Sequence, residues 1–533
     1  MGLLSHAPSA SIFLLLIFCL SCIHYVASAK ETSSELLNAS DLSEAELNVK
    51  RSNFPRDFLF GAATSAVQTE GSASKYGKGP SVWDHYVQKF PGKVTDRSSP
   101  ETAIDSYARY KDDVKLLKEL GVDAYRFSIP WTRILPNGSL SGGVNQQAID
   151  HYNDLINEVM SNGITPFVTL LHFDSPQILQ DKYGGFLSHE IVDDFRDYAE
   201  ICFRTYGDRV KHWITINEPL IIAQFGYDLG LAAPGRCSVP PNACPAGNSS
   251  TEPYIVTHNA LLAHAAAAGL YKDKFQAEQR GEIGISLVGE FFEPYSESSN
   301  DKKAARRAMD FHVGWFLNPL VYGEYPRRMR NLVKGRLPTF SEGDKALVQG
   351  SLDFIGFSYY TSRYAKAIEI DPNVPPTSFS RDSFTDLQFA RDGVPIGKKA
   401  SGSDFIYIYP KGLGKLLTYT KRKYKSPKIY ITENGISEAK NDSQPIHEAL
   451  QDPHRIQFIL QHLYQINRAI KKGVDVKGYF YWSQSDSFEF GKGRQDRYGL
   501  YYIDYQNNLT RIPKHSAKWL PSFLRNKGRT QSL

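Results

Sequence analysis

Two short segments, Thr215-Ile216-Asn217-Glu218-Pro219 and Ile431-Thr432-Glu433-Asn434-Gly435, each place a glutamate at the end of a largely apolar or β-branched run. Two carboxyl groups that face one another can cleave a glycosidic bond. One must be protonated to assist the leaving group, and the other must be ionised, as nucleophile or as base. A spacing of about 5–5.5 Å retains the anomeric configuration, and a wider gap that admits a water inverts it. Further polar and aromatic side chains lie in or just after similar runs: Gln68 and Glu70, Arg126 within its run, His172, Ser358 and Tyr360, Trp482, and just beyond it Asp486 and Glu489. Singly, each also reads as structural: His172 as a satisfied core histidine, Arg126 as an ion-pair residue, Trp482 as core. Their recurrence at run ends carries the functional reading.

The elements that must bring these groups together alternate in type. Eight short apolar or β-branched runs lie at Phe58–Ala63, Ala124–Ile129, Thr165–Leu171, His212–Ile216, Ile283–Val288, Phe354–Phe357, Lys428–Thr432 and Val476–Trp482. Amphipathic helical patterns separate them, such as Tyr107–Leu120, Ile149–Asn162 and His454–Lys472, the last with Ile456, Ile459, Leu460, Leu463 and Ile470 near one face. This alternation predicts an α/β fold, a (β/α)8 TIM barrel with one catalytic domain. A doubly wound open sheet is the alternative, but no Gly-rich dinucleotide fingerprint follows any strand. In such a barrel catalytic groups sit at the C-terminal strand ends. Strands four and seven lie on opposite sides of the ring, so Glu218 and Glu433 can face each other across its mouth. Two long irregular stretches, Gly230–Tyr254 and Ala365–Phe405, are expected to decorate that C-terminal face.

With these motifs in order and on the right strands, the chain from Asn53 to about Leu524 resembles glycoside hydrolase family 1. It is most similar to the secreted β-glucosidases of plants, including the Ala233-Pro234-Gly235-Arg236-Cys237 loop. The resemblance implies a retaining O-β-glycosidase acting on a small plant β-glycoside through a covalent glycosyl-enzyme. Glu433 would be the nucleophile, kept ionised and oriented by Arg126 and Tyr360, and Glu218 the acid/base. Asn217 would hold the sugar 2-hydroxyl. Gln68, His172 and Glu489 would grip the remaining hydroxyls, and Trp482 would floor the ring. Tyr498 matches a usual Phe near the 6-hydroxyl. No metal or cofactor is implied, and no Cys/His cluster has ligand spacing.

Five positions depart from the family pattern: Phe490 and Phe173 for usual tryptophans, Phe405 for a Trp on the aglycone side, Ser358 for an Asn, and Val67 for a Tyr. Phe keeps stacking area but has no N–H to donate to a hydroxyl. These changes leave sugar and aglycone open. Glu218, where the thioglucosidase branch has Gln, favours O-glycosides. Glu489 would repel a 6-phosphate. Three other readings stand beside the leading one: a transglycosidase using the same intermediate, a hydrolase of a non-sugar ring substrate, and an inactive binding module. The last fits poorly with two retained glutamates.

The 533-residue chain divides into a signal peptide (1–29), a polar, flexible lead-in (30–52), the barrel domain (53–525) and a short tail (526–533). The apolar run from Ser11 to Cys22 followed by Ala27-Ser28-Ala29 is the signal-peptide pattern. A signal anchor is the competing reading, but the run is short for a span. The secretory pathway, ending outside the cell, in the apoplast or in a vacuole, is therefore expected, with no membrane association after cleavage. That compartment favours a disulfide between Cys237 and Cys244, which flank a short Pro-rich loop, and glycan on some of the sequons at Asn38, Asn137, Asn248, Asn441 and Asn508. Cys202 sits in an amphipathic stretch and reads as a buried thiol. The net charge of +5 is spread along the chain without a basic arm, so nucleic acid is not an expected partner.

Overall fold

The computed structural model describes residues 42–239, 244–370 and 377–525. The expected signal segment, the start of the lead-in, Asn38 and the tail lie outside the described residues. Eight parallel strands close into a barrel: β1 Leu59–Ala63, β2 Ala124–Ser128, β3 Thr165–Leu171, β4 His212–Asn217, β5 Glu282–Val288, β6 Phe354–Ser358, β7 Ile429–Asn434 and β8 Val476–Trp482. Each pairs with its neighbours in chain order, and β8 returns to β1 with Ala63 opposite Trp482. All eight runs read from the sequence are strands of this ring.

The ring is a packed core rather than a pore. Phe167, Ile214, Phe354, Tyr430 and Phe480 fill its lower part, with the Phe167 and Phe480 centroids 4.7 Å apart. This aromatic layer is why β1 needs Gly61, where an added Cβ would collide with the Phe480 ring. The outer helices bury one stripe each. Helix Gln146–Ser161 buries Ala148, Ile149, Tyr152, Leu155, Ile156 and Val159, the three-to-four spacing of an amphipathic helix, and Asn145 caps its N-terminus. Cys202 is buried in helix Glu190–Tyr206 as a free thiol.

Strict alternation along a strand would send Asn217 and Glu218, or Thr432 and Glu433, to opposite faces. Local slips in register break that rule. The pairing of β4 with β5 shifts between Ile214 and Asn217, and that of β7 with β6 shifts between Ile431 and Glu433. Irregularities of this kind re-aim side chains next to active sites. At Glu218 the backbone turns left-handed, at φ 43°, and Pro219 opens the helix Pro219–Tyr227. Proline suits that first helical position because its missing N–H would have no intrahelical partner there. The Glu218 N–H instead donates to Ser286 O on β5, at 2.8 Å.

Long excursions leave the C-terminal face after β4, β6 and β8, and the expected stretch Ala365–Phe405 is the one after β6. The one after β4 is closed by the Cys237–Cys244 disulfide, with Cα atoms 5.4 Å apart. The one after β8 is pinned from beneath: buried Asp486 accepts from Lys514 Nζ at 2.8 Å, Arg497 Nη1 at 3.1 Å and Gly499 N at 2.9 Å. Loss of either cation would leave a buried charge under-compensated, at a cost of about 3–5 kcal/mol.

Part of the stretch read as a flexible lead-in is ordered. Ser43 forms a capping box with Glu46 at helix Glu44–Leu47, and Leu42 and Val49 are buried in the main core. The short helix has too few residues to show periodicity, so composition alone concealed it. The four described sequon asparagines, Asn137, Asn248, Asn441 and Asn508, are all exposed. Among the described residues no helix is long and apolar enough to cross a membrane.

Candidate active site

Glu433, at the end of β7, is only 4% exposed and both its carboxyl oxygens are engaged. Arg126 Nη1 on β2 donates to Oε1 at 2.6 Å, and the Tyr360 hydroxyl, just past β6, donates to Oε2 at 2.8 Å. Arg126 is itself fixed on every side. It donates to Thr169 Oγ1 at 3.2 Å, Thr432 O at 3.0 Å and Asn217 Oδ1 at 2.6 Å. The guanidinium therefore ties the residue before Glu218 to the carboxylate of Glu433.

Glu218 has a different environment. Burial, followed by the nearby Glu433 charge, pushes its carboxyl well above the usual carboxylate range; a hydrogen bond from Ser358 and the charge of Arg126 act the other way. Beneath lies a chain of hydroxyls, with Ser286 Oγ 2.6 Å from Thr432 Oγ1 and 3.4 Å from Ser358 Oγ.

Other expected contacts converge on the same cavity of about 470 Å³. Gln68, His172, Asn217, Glu218, Tyr360, Phe405, Glu433, Trp482, Glu489, Phe490 and Tyr498 all line it. Arg126 and Ser358 stand behind the lining. Asn217 Nδ2 lies 3.3 Å from His172 Nε2, and the imidazole stacks on Trp482 with centroids 5.6 Å apart. Burial and the Arg126 charge hold His172 well below the ordinary imidazole range, so it is neutral. Gln68 Nε2 donates to Glu489 Oε2 at 3.1 Å, and Ser487 Oγ donates to Oε1 at 2.9 Å. Burial raises the Glu489 carboxyl to about 8, even against the Ser487 hydrogen bond.

Three of the five departures from the family pattern form one physical group. Val67, Phe173 and Phe490 pack in a single apolar cluster with Val82 and Trp83; Phe490 lies 4.7 Å from Trp83 and 5.4 Å from Phe173, ring centroid to centroid. A donor lost at one of these positions is thus accompanied by apolar surface at the others. Phe405 is 51% exposed and sits on the rim. Ser358 is buried against Glu218.

Sequence reasoning missed most of the outer wall. Ile221, Ile222 and Phe225 line the cavity from the helix that follows Glu218, joined by Trp83, Leu231, Ala232 and Pro234. The apolar face of Pro219–Tyr227 was a usable signal, since three of its large hydrophobics remain only partly buried. Ser286 and Asp496 were also missed, having no motif of their own. A separate groove of about 630 Å³, lined by Lys411, Lys415, Arg422 and Arg468 on the outer wall of the barrel, contains none of the strand-end groups.

Known proteins are similar to this chain in sequence and fold. The chain is 52% identical over 499 residues to Beta-glucosidase 24 of Oryza sativa subsp. japonica, covering 93% of this chain and 98% of that one. It is 50% identical over 505 residues to a furostanol glycoside 26-O-beta-glucosidase of Hellenia speciosa, covering 94% and 89%. The crystal structure of the rice Os3BGlu6 β-glucosidase superposes with a TM-score of 0.88 at 46% identity, over 90% of this chain and all of the other, and a mutant of that enzyme has been solved in a covalent complex with glucose at the same TM-score. The sequence model described as Glycosyl hydrolase family 1 matches residues 50–529, and the chain belongs to that family of retaining glycoside hydrolases.

Proposed function

We propose that Glu433 is the nucleophile and Glu218 the acid/base of an O-β-glucosidase whose substrate joins a small polar sugar to an apolar aglycone. The observation that carries the assignment is the asymmetry of the two carboxyls. Arg126 and Tyr360 donate to one oxygen each of Glu433 and so fix the direction in which its carboxyl faces. Burial and the adjacent Glu433 keep Glu218 protonated.

In the first step a Glu433 oxygen bonds to the anomeric carbon as the bond from that carbon to the aglycone oxygen breaks. Glu218 passes its proton to the departing oxygen, so the aglycone leaves as a neutral alcohol. Glu433 is then esterified and uncharged, and the Glu218 pKa falls. Glu218 can now take a proton from water as the water oxygen bonds to the anomeric carbon. The ester bond breaks, Glu433 regains its charge and Glu218 its proton. Asn217, Gln68, His172 and Glu489 would hold the sugar hydroxyls, with Trp482 beneath the ring.

The wall formed by Ile221, Ile222, Phe225, Trp83, Phe173 and Phe490 supports an apolar aglycone of more than one ring. The relative named for furostanol glycosides fits the same reading. The disulfide and exposed sequons support passage through the secretory pathway. A panel of β-glucosides with one sugar and aglycones graded from small and polar to polycyclic and apolar tests this. kcat/KM should rise with apolar aglycone surface; a preference for small polar aglycones contradicts it.

A further inference from the structure

We propose that Asp496 is a specificity residue for the sugar, its carboxylate accepting a hydrogen bond from the hydroxymethyl group at C6. Asp496 is 5% exposed and lines the cavity. It lies on the short strand Asp496–Arg497, which pairs with Glu438–Ala439. Alternate residues of a strand point to opposite sides. Arg497 faces the Asp486 ion cluster, at 3.1 Å, so Asp496 faces the cavity, as does Tyr498 two residues on. Glu489 and Tyr498, on which its charge acts, line the same cavity.

The carboxylate has no hydrogen-bond or ion-pair partner among the described residues. The cation whose charge acts on it, Lys492, is engaged by Asp404 at 2.6 Å. Glu489 already receives Gln68 and Ser487 on its two oxygens. Asp496 is therefore an acceptor on the cavity wall to which no described residue donates, and a ligand hydroxyl entering the cavity can donate to it. A neutral hexose with a free 6-hydroxyl supplies one. A pentose lacks it, and a sugar with an anionic group at C6 would meet two carboxyls.

This inference rests on the reading of the Glu489–Tyr498 end as the sugar-holding end. The test compares kcat/KM for 4-nitrophenyl β-glucoside and β-xyloside, the same ring without the hydroxymethyl group, in the wild type, Asp496→Ala and Asp496→Asn. A site built around a hydroxyl discriminates strongly against the analogue that lacks it. Asp496→Ala should lose about tenfold on the glucoside and less than about twofold on the xyloside, with Asp496→Asn intermediate because it keeps an acceptor oxygen. An active wild type whose glucoside-to-xyloside ratio is unchanged in both variants overturns the assignment of Asp496 alone. A wild type inert on both substrates removes the underlying reading and this inference with it.

Discussion

Around Glu433 both carboxyl oxygens receive a donor, one of them cationic, and the arginine that supplies it is itself bonded to three further groups. Around Glu218 the balance is reversed: burial and a like charge dominate, opposed by Ser358 and Arg126, and the helix that follows presents Ile221, Ile222 and Phe225 to the cavity. The same side chain thus meets two different surroundings: donors on both oxygens at Glu433, and burial beside a like charge at Glu218. The lesson is that the division of labour lies in the partners of the glutamates, on β2, β5 and β6, more than in the motifs that contain them.

Removing either glutamate should break the comparison in a different way. Glu433→Ala should lower kcat/KM on the order of 10⁴-fold or more, whatever the leaving group, because no group remains to form the glycosyl-enzyme. Added azide should restore turnover and give the inverted glycosyl azide, read by NMR of the anomeric proton. Full activity in this variant would end the proposed mechanism. Glu218→Gln should cost about 10²–10⁴-fold on substrates with poor leaving groups and much less on nitrophenyl glycosides, whose oxygen needs little protonation. A loss independent of leaving-group pKa would show that Glu218 is not the acid.

Ser358→Ala sharpens the comparison with the smallest effect. The Ser358 hydroxyl favours ionised Glu218, so its removal should raise the Glu218 pKa further. Glu218 must be protonated when the sugar–aglycone bond breaks, and kcat/KM falls as pH rises through its pKa. The alkaline limb of the profile should therefore move to higher pH, with the peak value changing by less than about tenfold. A limb that stays in place, or moves to lower pH, would mean that Ser358 does not act on Glu218.

The strands and the two glutamates were legible because their signals are local. Runs such as Thr165–Leu171 are apolar or β-branched throughout, as suits buried parallel strands. Glu218 and Glu433 follow such runs, and the barrel's geometry then places them at its mouth. Less legible was how adjacent residues both turn inward, since the slips after Ile214 and Ile431 depend on pairing with other strands. The outer wall was missed for a related reason. Ile221 and Phe225 have the pattern of ordinary helix core until the helix is seen to line the cavity. Asp496 has no motif and acquires meaning only when Arg497 is seen to face the other way. Val67, Phe173 and Phe490, far apart in sequence, appeared as separate departures until packing joined them.

The central claim is that Glu433 carries the covalent intermediate. It is tested most directly by treating the enzyme with a 2-deoxy-2-fluoro-β-glucosyl fluoride, which slows release of the intermediate, and mapping the label by peptide mass spectrometry. One glycosyl group on the peptide containing Glu433, and none on the peptide containing Glu218, is the predicted result. A label on Glu218, or continued turnover with no covalent adduct, would contradict the account.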